Sequence, residues 1–267
     1  MNEKSYNGKN KSRKILIISV SLFISIFAVY YLVLSVVAPA GSIKRINSEY
    51  GYKKPEKGGL SDSIFIDSAF IMLNRQKAFY QARIAMASTD SVVLSLNLPD
   101  STATLEINGV TVYTTKILSS KISKTFRKAD EYAVTSLFSK PFTILKDYSS
   151  IPKEPVVHKV APKDTTEYKP EAPPDTSKIE YANFILETTE GIRLYVYQDT
   201  RGNFNAFLNQ FLFDLADRTR TSLYTLKCMI LFRKPEYKPW IRIRVPLKDA
   251  RIIYRALPRN GQFAVCR

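Results

Sequence analysis

The longest uncharged run of the chain extends from Ile15 to Ile43. Its first 23 residues, Ile15 to Val37, are apolar apart from scattered serines and a tyrosine pair. At about 1.5 Å of rise per residue, a helix of this length reaches roughly 34 Å, which is enough to cross a hydrocarbon core of about 30 Å. The pattern therefore predicts one transmembrane helix, which we place at residues 15–40 and through which the chain contacts the lipid bilayer.

A basic tail, residues 1–14, precedes this span and holds five lysines and arginines against one glutamate. The positive-inside rule keeps such a flank in the cytoplasm. Lys44 and Arg45 follow the span and weaken this bias, but positive charge is denser in the tail. We therefore expect a single-pass protein of a cell inner membrane, with its C-terminal region in the periplasm or another extracytoplasmic space.

A cleaved signal peptide is the alternative to a permanent anchor. Ala38-Pro39-Ala40, followed by Gly41, has the small-x-small form that signal peptidase requires. A signal h-region normally has about 7 to 15 apolar residues, and the longer run in this chain favours the anchor. Both alternatives export the remaining residues.

Two regions beyond the span carry no regular apolar pattern. Residues 41–60 combine glycine, proline and charge, which indicates a juxtamembrane linker that gives the domain reach. Residues 146–178 hold six prolines among many charges, and proline is excluded from helix interiors and central strands. We interpret this second region as an extended connector.

The pattern between these two regions predicts a first α+β subdomain, residues 61–145. A helix capped by Ser61 or Asp62 is expected to run to about Ala87. Leucines alternate with polar residues just before Pro99, and Asn108-Gly109 is the preferred pair of a type I′ hairpin turn. An antiparallel meander over residues 91–117 follows, together with a short strand from Phe142 to Leu145.

Residues 179–267 form a second predicted α+β subdomain. A hairpin is expected around Thr189-Glu190-Gly191, and apolar spacings of three and four predict a helix from Asn203 to Arg218. The remaining expected elements are strands Leu223–Phe232 and Trp240–Val245, a helix Leu247–Leu257, and a hairpin at Asn260-Gly261. The predicted fold class is thus α+β, a transmembrane helix followed by a sheet-rich region with antiparallel hairpins and a few helices.

The net charge is +16, and most of it lies beyond the span. A basic domain beside a bilayer attracts anionic headgroups, acidic wall polymers or nucleic acid through the same unspecific field. Nucleic acid is the least expected of these partners, because the domain is predicted to be exported and no zinc-finger, RNP or arginine-rich motif occurs.

Catalytic signatures are missing from the sequence, which contains no Walker A, GxGxxG, GxSxG or HExxH motif. The one histidine, His158, lies in the proline-rich connector, so we predict neither a metal site nor a cofactor. Cys228 and Cys266 are the two cysteines, and an oxidising compartment would permit a disulfide between them. Asp214 and Asp217 are spaced i, i+3 on the predicted helix, where such pairs usually face solvent.

One strand carries a candidate binding site. Trp240, Arg242 and Arg244 alternate with apolar residues, which places an indole and two guanidinium groups on one strand face. Such a face can hold a carboxylate or phosphate polymer bidentately. An exposed, solvated sheet face is the alternative interpretation.

The stretch LNLPDSTATLEINGVTVYTTKI, from Leu96 to Ile117, resembles the opening hairpin of bacterial L,D-transpeptidase catalytic domains. The resemblance implies an envelope-exposed β fold. That family's catalytic signature, a histidine followed by a Ser-x-Gly-Cys element, has no match around Cys228 or Cys266, so no active-site residue is carried over.

These observations predict a non-enzymatic envelope protein. Its exported domain is expected to act as a binding or scaffold module for an envelope protein or an anionic cell-wall polymer. The alternative is an L,D-transpeptidase-like enzyme acting on wall peptides, for which Cys228 would be the nucleophile.

Overall fold

The computed structural model describes residues 3–53, 67–153 and 180–267. These ranges form an α+β fold with one large mixed sheet. The helices are α1 (Glu3–Tyr50), α2 (Ser68–Ala87), α3 (Lys124–Lys128), α4 (Glu131–Phe138), α5 (Phe204–Ile230) and α6 (Leu247–Ala256). The strands are β1 (Val93–Asn97), β2 (Thr102–Ile107), β3 (Val110–Lys116), β4 (Ser119–Ile122), β5 (Phe142–Ser149), β6 (Phe184–Thr188), β7 (Arg193–Gln198), β8 (Trp240–Val245) and β9 (Gln262–Cys266).

The sheet interleaves strands from the two regions predicted as subdomains. Its order is β3-β2-β1-β9-β5-β6-β7-β8-β4. The C-terminal strand β9 lies between β1 and β5, and β4 pairs with β8 at the far edge. The pairs β1–β9 and β7–β8 are parallel, whereas the other pairs are antiparallel. Residues 67–153 and 180–267 therefore share one sheet.

Helix α1 is the one described helix that is long and apolar enough to cross a membrane. Its residues between Ile15 and Val33 are largely exposed. The helix also runs without a break through Ala38 and Gly41, the residues of the potential cleavage site. Ala38 is buried against the rest of the protein, which places the end of the apolar run in contact with the folded domain.

The predicted linker over residues 41–60 is wrong as far as Tyr50, because α1 continues to that residue. Tertiary contacts explain the difference. Ser42 and Ile46 are buried, and Ile46 belongs to the main core. Arg45 donates to the Glu190 carbonyl and lies 3.5 Å from the Glu236 carboxylate. This charged segment has no apolar periodicity, but it is helical because the domain packs against it. Residues 54–60 of the predicted linker lie outside the described ranges.

The hairpins predicted at Asn108-Gly109 and at Thr189-Glu190-Gly191 are confirmed. Asn108 and Gly109 both have positive φ, at 52° and 78°, as a type I′ turn between β2 and β3 requires. Gly191, with φ of 74°, lies in the turn between β6 and β7. Helix α2 ends at Ala87 as predicted, but it is capped by Asp67, whose carboxylate accepts from the Ala69 amide. Ser61 and Asp62 lie outside the described residues.

Three other predictions are wrong: a strand, the start of the proline-rich connector and the last hairpin. Most of the predicted strand Leu223–Phe232 is helical, because α5 continues to Ile230. A short apolar run has no periodicity that distinguishes a strand from a helix. Strand β5 extends to Ser149, into the predicted connector, because β6 pairs with it; residues 154–178 of that connector are outside the described ranges. The turn at Asn260-Gly261 connects α6 to β9, which pairs with distant strands, so it closes no hairpin.

Strands β6, β7 and β8 present two different faces. On the face that we call the core face, Leu194, Val196, Ile241 and Ile243 are completely buried with side chains of α4 and α6. The opposite face, here the α5 face, carries the alternate residues of the same strands and is covered by α5. The parallel register of β7 and β8 aligns these alternate residues side by side in pairs.

Candidate functional site

The three predicted contact residues lie on one face of β8, as their alternation indicates. Trp240, Arg242 and Arg244 are half-buried, and the intervening apolar residues are fully buried. The face is not an open, solvated surface, because α5 lies over it. Arg244 donates to the Gln210 side chain of α5 at 3.2 Å.

Aromatic rings surround the guanidinium group of Arg242. Its central carbon lies 5.1 Å from the ring centroid of Trp240, 5.3 Å from that of Tyr197 and 5.6 Å from that of Tyr195. Cation–π attraction at such distances holds the group in place. The Nε of Arg242 is buried and has no hydrogen-bond partner, and no ion pair of Arg242 occurs within the described residues.

The acidic residues of α5 face the sheet, so the expectation that Asp214 and Asp217 point to solvent is wrong. The Tyr197 hydroxyl donates to Asp214, and the Tyr195 hydroxyl donates to Asp217 at 3.0 Å. Burial raises the pKa of Tyr195 to about 12, and the negative charge of Asp217 adds to the effect. Burial and the hydrogen bond to Asp214 likewise raise the pKa of Tyr197. Both phenols therefore stay protonated donors at neutral pH.

A second group of charges lies beside these tyrosines. Glu187 of β6 pairs with Arg193 of β7 and accepts a hydrogen bond from Lys238 at 3.0 Å. Arg193 also lies 3.5 Å from Asp217. Burial would raise the pKa of the Glu187 carboxyl, but the hydrogen bond from Lys238 and the charge of Arg193 outweigh it and lower that pKa. Glu187 thus remains a carboxylate in a neutralised cluster.

A cavity of about 770 Å³ lies among these groups. The α5 face of the sheet forms one wall, α5 another, and the segment 235–238 a third. Helix α1 closes it with Tyr31, Leu34, Ala38 and Pro39, residues of its apolar run or of the turn that follows. The lining contains six basic side chains, Lys146, Arg193, Arg218, Arg220, Lys238 and Arg242, against four acidic ones, Glu187, Asp214, Asp217 and Glu236. The cavity is therefore mixed in polarity, with an excess of positive charge.

The two cysteines are free thiols in this structure, so the predicted disulfide is not formed. Cys266 ends β9 and packs with residues of α2, whereas Cys228 lies on α5, one turn after Tyr224. In the sheet, two strands, β5 and β6, separate β9 from β7, over which α5 packs.

Among the described residues, no group of three or more histidine, cysteine, aspartate or glutamate side chains could hold a metal ion. His158 falls outside the described ranges. Of the acidic residues that line the cavity, Asp214 and Asp217 accept from tyrosines, Glu187 pairs with Arg193 and Lys238, and Glu236 lies 3.5 Å from Arg45.

Comparisons with known proteins found no matching family model, no matching curated protein and no matching solved structure. The resemblance of Leu96–Ile117 to an L,D-transpeptidase hairpin therefore stays a prediction.

Sequence reasoning found Arg242 and missed the residues around it. Arg193, Tyr195 and Tyr197 alternate along β7 in the same way as Trp240, Arg242 and Arg244 along β8. Two strands with this shared alternation indicate neighbours with a common polar face. Their parallel pairing, which brings the two series side by side, is a long-range property that the local pattern does not contain.

Proposed function

We propose that this chain is a single-pass, membrane-anchored bacterial envelope protein whose extracytoplasmic domain is a binding module. The cavity under α5 receives a carboxylate or phosphate group of an anionic cell-wall component. One observation carries the proposal: Arg242 presents a guanidinium group, held between aromatic rings, whose buried Nε has no partner among the described residues.

The chemistry of arginine supports this assignment. A guanidinium group offers donors in a planar fork that fits carboxylate and phosphate oxygens. Buried polar atoms almost always have a hydrogen-bond partner, so an unpartnered Nε beside a cavity favours an external acceptor. The nearby carboxylates have other partners in this structure: Asp214 and Asp217 accept from tyrosines, and Glu187 pairs with Arg193 and Lys238.

An enzyme acting on wall peptides with Cys228 as nucleophile is the weaker proposal. The Cys228 side chain is buried. A nucleophilic thiol needs access to substrate as well as an adjacent base or positive group. Burial denies Cys228 this access, so we propose binding rather than catalysis.

Trp240 provides the test, because it is the only tryptophan of the chain and lies next to Arg242. The full-length protein in detergent micelles is titrated with inorganic phosphate and with purified anionic wall polymer while indole fluorescence is recorded. We expect a saturable change with the wild type and its loss in Arg242→Gln. Arg127→Gln removes the same charge from an exposed position on α3 and should leave binding unchanged.

Two results would contradict the proposal. Equal weakening by Arg242→Gln and Arg127→Gln would assign binding to the general positive field of the domain. Absence of any saturable signal with both titrants would remove the anionic ligand altogether.

A further inference from the structure

Helix α5 carries its apolar side chains on the surface away from the sheet. Ala206, Asp214 and Asp217 face inwards, towards β7 and its neighbours. At helical spacing, the opposite side carries large exposed residues, which we call the α5 stripe: Phe204, Leu208, Phe211, Leu212, Leu215, Leu226 and Ile230. A helix on a protein core normally has the reverse arrangement, so the exposed stripe requires a partner.

The course of α1 shows on which side of the sheet its apolar run leaves the domain. Ile46 packs into the core face with residues such as Leu194 and Ile241. Leu34 and Ala38, earlier in the same helix, line the cavity on the α5 face. From Ile46 to Leu34 the helix rises about 18 Å, enough to pass from one side of the sheet to the level of α5. The apolar run before Leu34 therefore leaves the domain on the side towards which the α5 stripe points.

The segment that follows α5 comes close to the end of the apolar run of α1. Lys234 follows α5 closely, and its ammonium group approaches Gly41 of α1. Phe232, two residues earlier, is 88% exposed. Basic residues border the stripe at Arg218, Lys227 and Arg233, all exposed. Apolar and aromatic residues bordered by lysines and arginines are typical of helices that lie in a membrane interface.

We propose that α5 lies in the surface of the bilayer that α1 crosses, with the α5 stripe among the lipid chains. The occupant of the stripe is the lipid itself. The helix has 27 residues, and at about 1.5 Å each it would cover roughly 40 Å of membrane surface. The domain is then fixed to the bilayer by a spanning helix and by an interfacial one, independently of what the cavity binds.

Tryptophan quenching in proteoliposomes tests this contact in the full-length protein. In a Trp240→Phe background, Phe211→Trp places the only indole in the middle of the α5 stripe. The matched control is Ile252→Trp, which places it at an exposed position of α6, on the other side of the sheet. The vesicles contain phosphatidylcholine and phosphatidylglycerol, with bromine either near the headgroups or deep in the acyl chains.

We expect Phe211→Trp to emit at a shorter wavelength than Ile252→Trp and to lose most of its intensity with the shallow bromolipid. Deep bromines should quench less, because interfacial helices bury their apolar face only about 5–10 Å below the headgroups. Leu215→Trp, one turn further along, provides a second reading should the first variant fail to fold. Blue-shifted but unquenched emission would reveal a protein partner, such as a second copy, and would overturn the proposal. Equal quenching of stripe and control positions, or none at either, would overturn it as well.

Discussion

The two faces of β6, β7 and β8 are built from alternate residues of the same strands and have opposite chemistry. The core face contributes fully buried Phe184, Leu194 and Ile243 to a continuous apolar cluster. The α5 face contributes Glu187, Arg193 and Tyr195, whose polar atoms pair with each other and with α5. A side chain buried on the core face has only to fit the available space, because it carries no polar group that needs a partner. On the α5 face every charge must find a partner, and one of them, Arg242, has none within the described residues.

The contrast suggests different roles for the two faces: the core face stabilises the fold, and the α5 face provides the proposed binding site. Apolar burial is non-directional and contributes free energy in proportion to area, whereas buried ion pairs roughly offset their own desolvation. A purely structural α5 face would gain little from an unpartnered guanidinium. We therefore expect substitutions on the core face to unfold the protein and substitutions at Arg242 to leave the fold intact.

The largest effect is expected from Phe184→Ala on the core face. Phe184 is fully buried and its ring lies 5.0 Å from that of Tyr254. Removing the ring leaves a cavity and should lower the free energy of unfolding by about 4 kcal/mol. Denaturant unfolding of the full-length protein in micelles, followed by circular dichroism, measures the loss. The control is Val112→Ala, at an exposed position of β3, which should change the free energy of unfolding little. A comparable loss in the control would show that residues of the core face do not contribute more to stability than exposed residues do.

A smaller effect is expected from Glu187→Gln on the α5 face. The substitution keeps the shape but removes a charge that pairs with Arg193 and Lys238, and it should cost about 2 kcal/mol at neutral pH. Because the pKa of folded Glu187 is lowered, its contribution is present above the ordinary carboxyl pKa and is lost as the pH falls through the folded value. Wild type and variant should therefore converge in stability on acidification.

The free energy of unfolding of both proteins, measured from neutral pH down to the acid range, checks this convergence. Glu131 also has a lowered pKa, but it is present in both proteins and cancels in the difference. Parallel pH curves for the two proteins would show that the Glu187 pairs contribute no pH-dependent stability.

Tyr197→Phe should cost less, about 1 kcal/mol, because it removes one hydrogen bond to Asp214 and retains the ring. Asp214 is only half-buried, so water can replace the lost donor. Thermal unfolding in micelles gives the difference, with Tyr80→Phe at an exposed position as the matched control. A loss equal to that of Phe184→Ala would mean that the α5 face is as critical for folding as the core face.

Local patterns predicted the hairpins, β8 and α6, because the signals that define them lie within a few residues: Asn108-Gly109, Gly191 and the alternation from Trp240 to Val245. Local patterns gave wrong boundaries where contacts between distant parts of the chain determine the secondary structure. The last turns of α1 are helical because Ile46 is buried in the core, and β5 reaches Ser149 because β6 pairs with it. At the site, Arg242 was found from its own strand, whereas its aromatic neighbours on β7 depend on a parallel pairing of residues that are 47 positions apart in the chain.

The smallest change in stability is expected from Arg242→Gln, and it bears most directly on function. Arg242 contributes cation–π attraction to three rings, worth about 1 kcal/mol or less at a partly exposed site. Arg193→Gln on the neighbouring strand is the matched variant and should cost more, because it leaves Glu187 and Asp217 without their shared cation. Chemical unfolding of the two variants in micelles measures both values. If Arg242→Gln destabilises the protein as much as Arg193→Gln, its guanidinium group belongs to the fold; if the loss is small, the group is free to bind a ligand.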